Sequence, residues 1–171
     1  MAELAPQDRL QPALLDRLTD EEPLKRVEPV ESRVISKSKL RQATLRDLAW
    51  LFNTTQLDGE DLAGFPFAER SVINFGLPAL SGQTASTLDA IGLETAIKRA
   101  ILDFEPRILA DTLRVEALIT EAQLDQHNMV SVQIQGQLWA QPVPLELLLR
   151  TEVDLETGRM ELRDLGQAGL R

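Results

Sequence analysis

The spacing of apolar residues changes at Phe104-Glu105-Pro106-Arg107, and that change demands two kinds of structure from one chain. Upstream, Leu93, Ile97, Ile101 and Phe104 recur three to four residues apart with Ala96 and Ala100 beside them, the stripe of a helix buried along one face. Proline has no N–H to donate and pushes the residue before it toward extended geometry, so the helix is predicted to stop at Phe104. Downstream the period is two. Leu113, Val115, Ala117 and Ile119 alternate with Arg114 and Glu116, and Val130, Val132 and Ile134 alternate with Ser131, Gln133 and Gln135. Leu145, Leu147, Leu149, Thr151 and Val153 alternate with Glu146, Arg150 and Glu152, interrupted only by Leu148. These are half-buried strands of an antiparallel sheet with one wet face. Glu156-Thr157-Gly158-Arg159 predicts a hairpin turn, with Gly158 at positive φ, into a last strand over residues 160–164. Helices followed by a small antiparallel sheet make a single-domain α+β fold.

Earlier in the chain a helix is predicted from Ser38 to Phe52, with Leu45, Leu48 and Phe52 on one face. Trp50 lies off that stripe, as a second core contact or as an interface anchor. Asn53-Thr54-Thr55 and Asp58-Gly59 mark the exit into a long irregular connection over residues 59–82, which holds Phe65, Pro66, Phe67, Phe75 and Pro78. Asn74-Phe75-Gly76 within it is read as packing under the helices. Ser86 and Asp89 fit a capping box for the next helix, expected to break near Gly92 and resume at Leu93. Residues 1–35 carry Pro6, Pro12, Pro23 and Pro29 among many charges and predict an arm that is mobile when alone. Its one helical segment, Leu10 with Leu14, Leu15 and Leu18, is too short to be stable by itself. It either packs on its own domain or orders on a partner. The chain thus divides into the arm, a folded domain over 36–164 and a flexible tail over 165–171.

Composition narrows the chemistry. The formal charge of −9 argues against nucleic-acid binding, which needs a basic face to displace counterions. Arg33, Lys37, Lys39, Arg41 and Arg46 form a local exception, read as a helix face balancing acidic neighbours or as a dock for an acidic partner. Without cysteine there is no disulfide, thiol nucleophile or thiolate metal site. His127, the one histidine, sits in the polar Asp125-Gln126-His127-Asn128 stretch, where exposure is the ordinary outcome. No phosphate loop, nucleophile elbow or calcium loop is present, so no catalytic residue, cofactor or metal is expected. The absence of a charged-then-apolar leader and of an eighteen-residue apolar run predicts neither export nor membrane insertion, and a cytoplasmic protein.

Glu105 and Arg107, set on either side of a rigid proline, read as a charged hook for another protein. In that reading Arg107 makes a bidentate contact with a partner carboxylate and Glu105 accepts from a partner arginine. Two other readings stand beside it: a solvated helix end, and a pair that closes on itself or caps core backbone groups.

Four blocks carry a resemblance to a known family. Leu45-Arg46-Asp47-Leu48-Ala49-Trp50-Leu51-Phe52-Asn53-Thr54 resembles the "L-R-D-L-x-W-L-h-N-T" stretch of the TssE family of type VI secretion baseplates, h being apolar. Ser71-Val72-Ile73-Asn74-Phe75-Gly76-Leu77-Pro78, followed by Ser81-Gly82, is similar to its "S-V-x-N-[FY]-G-x-P" segment. Phe104-Glu105-Pro106-Arg107 matches its Glu-Pro-Arg motif, and Leu14-Leu15-Asp16-Arg17-Leu18 its "LLDRL" element. The blocks come in family order across roughly residues 12 to 163.

The resemblance implies a non-enzymatic subunit in the wedges of a baseplate, beside TssF and TssG, at the cytoplasmic face of the inner membrane. TssK is a further candidate partner. Such a subunit helps start polymerisation of the contractile TssB–TssC sheath, with Glu105, Pro106 and Arg107 as the sheath contact and Leu14, Leu15 and Leu18 as wedge-docking residues. The wider group includes phage tail wedge proteins, some with lysozyme-like names. A glycosidase, however, needs a general acid, and Arg107 favours the ionised form of Glu105. Other relatives resemble stress anti-adaptors that bind a response regulator, which gives the alternative reading of a regulatory binding module.

Overall fold

The computed structural model describes residues 12–19, 24, 35–57, 62, 64–80, 89–118 and 129–166. Expectations for Leu10, Arg33, Gly59, Ser86, Ile119 and His127, for most of the arm and for residues 167–171 lie outside them. The helices are α1 (Leu14–Leu18), α2 (Lys37–Phe52), α3 (Pro66–Glu69) and α4 (Ala90–Phe104). The strands are β1 (Arg114–Leu118), β2 (Met129–Leu138), β3 (Leu145–Asp154) and β4 (Met160–Asp164), all antiparallel in the order β1-β2-β3-β4.

The period-two residues fall into register as rows on one face of the sheet. Val115, Ile134 and Leu149 form one row, Ala117, Val132, Thr151 and Leu162 the next, and Val130, Val153 and Met160 a third. Helix α4 covers the β1 side and α2 the β4 side. Leu48, Leu51, Ile97 and Ile101 meet the sheet rows in one continuous core, each of the four no more than 1% exposed. The opposite face carries Glu116, Gln133, Arg150 and Arg163, as alternation requires.

Asp164 shares the inward-facing row of Leu149 at the edge of the sheet, where a lone carboxylate would lose its hydration. Arg41 of α2 meets it there, with Nε and Nη2 2.5 and 2.6 Å from its two oxygens, and sends Nη1 to the Glu146 carbonyl. The basic cluster of α2 is therefore in part internal wiring. Asn53, at the end of α2, accepts from the Met160 N–H and donates to the Met160 carbonyl, standing in for a neighbouring strand at the β4 edge. Glu94 does the same for the Ala117 N–H at the β1 edge, at 2.7 Å.

Two local expectations are corrected. α4 runs unbroken through Gly92, since one helical glycine costs only about 1 kcal/mol and the stripe it would interrupt is buried. Asp89 occupies the N-cap position of α4 but its side chain caps nothing. The connection over 59–82 holds α3 and a 3₁₀ turn at Val72–Asn74. Asn74 is buried and bonds the Leu57 N–H and the Glu69 carbonyl, and Gly76, at φ +138°, lies so close to the Thr54 carbonyl that a Cβ would sit 2.3 Å from its oxygen. Phe75 packs edge-to-face on Phe104, with ring centroids 5.2 Å apart. Gly158 has φ +73°, as the hairpin requires.

The buried Thr151 hydroxyl has no hydrogen-bond partner among the described residues. Thr151→Val is therefore expected to raise stability by about 1 kcal/mol, read as a higher urea midpoint. The hydrogen bond from Arg41 holds the Asp164 carboxyl below its usual range. The folded state thus gains from it fully above the unfolded carboxylate value of about 3.9 and loses that gain as pH falls through the lower folded value. Urea midpoints measured from pH 5 downward are expected to fall less steeply in Asp164→Asn than in wild type.

Candidate protein-docking site

The α4 stripe ends as the proline predicts. Glu105 is the C-cap residue, out of helical geometry at φ −122° and ψ 75°, its N–H on the Ile101 carbonyl at 2.8 Å. The chain then lies along the end of β2. Trp139 N–H donates to the Arg107 carbonyl at 2.7 Å, Leu109 N–H donates to the Gln137 carbonyl at 2.8 Å, and Ile108 bridges Leu138. The backbone of the Glu-Pro-Arg segment is thereby fixed to the sheet before any side chain is considered.

The side chains fix it to α2. Glu105 is only 4% exposed, so its carboxylate must be neutralised within the protein. Arg107 does this with its fork: Nε donates to Oε1 at 2.6 Å and Nη2 to Oε2 at 2.5 Å, while the Arg107 N–H also reaches Oε1. The second Nη2 hydrogen goes to Asp47 Oδ2 at 2.6 Å. Burial acts to lower the pKa of Arg107, but Glu105 and Asp47 outweigh it and raise the value above its ordinary level. Asp47 Oδ1 in turn accepts from Arg46 Nε at 2.9 Å, and Arg46 Nη1 donates to Asp16 Oδ1 at 2.8 Å. Arg46 also lies over the Trp50 ring, 5.3 Å from its centroid. Five alternating charges, Glu105, Arg107, Asp47, Arg46 and Asp16, thus join α1, α2 and the end of α4.

Of the predicted site residues, Glu105 is buried, Pro106 exposed and Arg107 22% exposed at its side chain. The pair closes on itself, which was one of the readings open in the sequence. The bidentate face of Arg107, assigned there to a partner carboxylate, is taken by Glu105. α1 buries none of its residues: Leu14, Leu15 and Leu18 are 74, 42 and 73% exposed. The segment touches its own domain through Asp16, which meets Arg46 of α2, while its leucines face outward. The network residues Asp16, Arg46 and Asp47 were present in the sequence blocks but carried no signal of their mutual contact. Beside the network runs a groove of about 530 Å³, lined chiefly by apolar residues including Leu51, Trp50, Phe75, Phe104 and Pro106.

With this geometry in hand, comparison with known families matches the chain to the baseplate wedge protein gp25 family over residues 38–143, more than half of its length. The chain belongs to the gp25 baseplate wedge family. TssE belongs to the same family, so the resemblance drawn from the motif blocks holds. No curated protein and no solved structure matches the chain. The gp25 family is structural, and membership implies contact with other baseplate proteins. Among the described residues no helix is long and apolar enough to cross a membrane.

Arg107→Ala leaves Glu105 buried without a counter-ion and is expected to cost about 3 kcal/mol of unfolding free energy. The double variant Glu105→Leu with Arg107→Met is expected to recover most of that loss. Urea unfolding of both variants and wild type checks this.

Proposed function

We propose that this gp25-family chain is a non-enzymatic wedge subunit of a type VI secretion baseplate that anchors the contractile sheath and initiates its polymerisation. The observation that carries the reading is the ion network, because it ties together three of the four blocks that carry the TssE resemblance: the "LLDRL" helix, the Arg46-Asp47 segment and Glu105-Pro106-Arg107. A network of this kind makes the motif an organiser of a partner-facing surface. In this reading the exposed leucines of α1 dock on TssF and TssG, and the surface around Pro106 and Arg107 meets TssB–TssC, with TssK a further candidate. The work is done at the cytoplasmic face of the inner membrane. Glu105 supports a structural role more than a hydrolytic one, since it is buried and both its carboxylate oxygens are taken by side-chain nitrogens of Arg107.

The test uses α1, because its leucines contribute nothing to the core. In cells lacking the protein, fluorescent sheaths are expected to be absent and to return with wild type. Leu14→Glu with Leu18→Glu is expected to melt as wild type yet restore few or no sheaths and lose co-purification of TssF and TssG. Normal sheaths in the deletion strain would overturn the baseplate reading; normal sheaths with the variant would overturn the role given to α1.

A further inference from the structure

Phe65, Phe67, Val72 and Ile73 are 65, 92, 82 and 71% exposed, large apolar side chains on α3 and the 3₁₀ turn, which pack on one another. Each is unfavourable in water where it stands. Phenylalanine rings present on the order of 150–250 Å² each, so Phe65 and Phe67 alone approach the size at which an exposed apolar patch marks an interaction site. The backbone beneath gives them no route inward. Buried Asn74 holds the Leu57 N–H and the Glu69 carbonyl, and the Ser71 hydroxyl donates to the Ala68 carbonyl at 2.8 Å. Glu69–Arg99 at 2.7 Å and Arg70–Asp103 at 3.2 Å tie the same segment to α4.

Shape and charge say what covers them. A ring as exposed as Phe67 has no wall of its own beside it, so the cover must supply the walls. The same projecting turns on a second copy of the chain supply none. The groove beside Trp50 on a second copy does not fit either: three carboxylates against two guanidiniums stand at its rim, and an uncharged plug would strip their water without replacing it. The charges tied to the segment are Glu69, Asp103, Arg70 and Arg99, two of each sign, and each is paired with another of the four. They leave no net charge to draw an acidic or a basic surface. An anionic bilayer is disfavoured on the same ground, since membrane-surface segments set their apolar residues among unpaired cations and this chain carries −9 overall. We infer that α3 and the 3₁₀ turn form a plug, with Phe67 and Val72 at its tip, for an apolar cleft with an uncharged rim on a partner protein. None of the residues given to the sheath or to TssF and TssG belongs to this plug, so it stands without the wedge reading.

The experiment places the photo-cross-linking residue p-benzoylphenylalanine at position 67 of the full chain in its native host, with a control at position 161 on the far face of the sheet. Cross-linked peptides are identified by mass spectrometry. The captured protein is purified and titrated by calorimetry, at low and high salt, against wild type, Phe67→Leu, and the double variant Phe67→Gln with Val72→Gln. Vesicles of phosphatidylethanolamine and phosphatidylglycerol are offered to the same three proteins. The expected result is capture, from position 67 and not from 161, of an apolar peptide without charged residues. Its parent protein binds wild type with an affinity that salt changes by less than about twofold. Phe67→Leu retains that binding, and the double variant weakens it at least about tenfold with an unchanged melting curve, since both side chains are exposed. No capture above the control, capture of a second copy or of a charged peptide, affinity that falls steeply with salt, or equal binding by the double variant overturns the plug. Sedimentation of wild type with the vesicles, lost in the double variant, overturns it in favour of a membrane.

Discussion

A carboxylate buried at a helix end has to be neutralised where it lies, and that requirement organises this protein. Glu105 is drawn out of water because Pro106 ends α4 just where the chain must turn down onto β2. Arg107, two residues on, is the nearest cation, and its planar fork satisfies both oxygens at once. The same guanidinium has a donor left for Asp47, and through Asp47 and Arg46 the charge chain reaches α1. Proline between the two charges keeps the turn stiff, so that the fork meets the carboxylate without the entropy cost of searching for it.

This arrangement divides labour between core and surface. The sheet rows and two helix stripes make one continuous apolar core. The network lies at the rim, where it sets the position of elements the core does not hold. α1 is the clearest case: five residues, none buried, tied to α2 by the Asp16–Arg46 pair. The pair is partly buried, its Arg46 and Asp16 side chains 32 and 15% exposed, and it is the link that orients α1 on α2. A segment with no buried residue and three leucines facing outward suits a subunit in contact with other baseplate proteins, as membership of the gp25 family implies.

Much of the fold could be read from residue order because period reports burial directly. The alternation from Leu113 to Val153 gave each strand its inward face, and the register then placed those residues in common rows. The end of α4 followed from Pro106 alone. What escaped was decided by distance in space. No local pattern distinguishes a solvated Glu105 from a buried one, because its solvation depends on a turn geometry and on Asp47, 60 residues earlier in the chain. The internal role of Arg41 was hidden for the same reason, since Asp164 lies 123 residues away. Gly92 misled in the other direction: its intrinsic cost to a helix is real, and burial of Leu93 and Ile97 offsets it.

The central claim is that Asp47 and Arg107 act on one another energetically and so couple α2 to the Glu-Pro-Arg segment. A double-mutant cycle on Asp47→Asn and Arg107→Lys, with unfolding free energies taken from urea titrations of all four proteins, measures that coupling. The account predicts a favourable coupling of about 1 kcal/mol or more, diminishing as salt is raised. Additive effects within about 0.3 kcal/mol, at low and high salt alike, would contradict it.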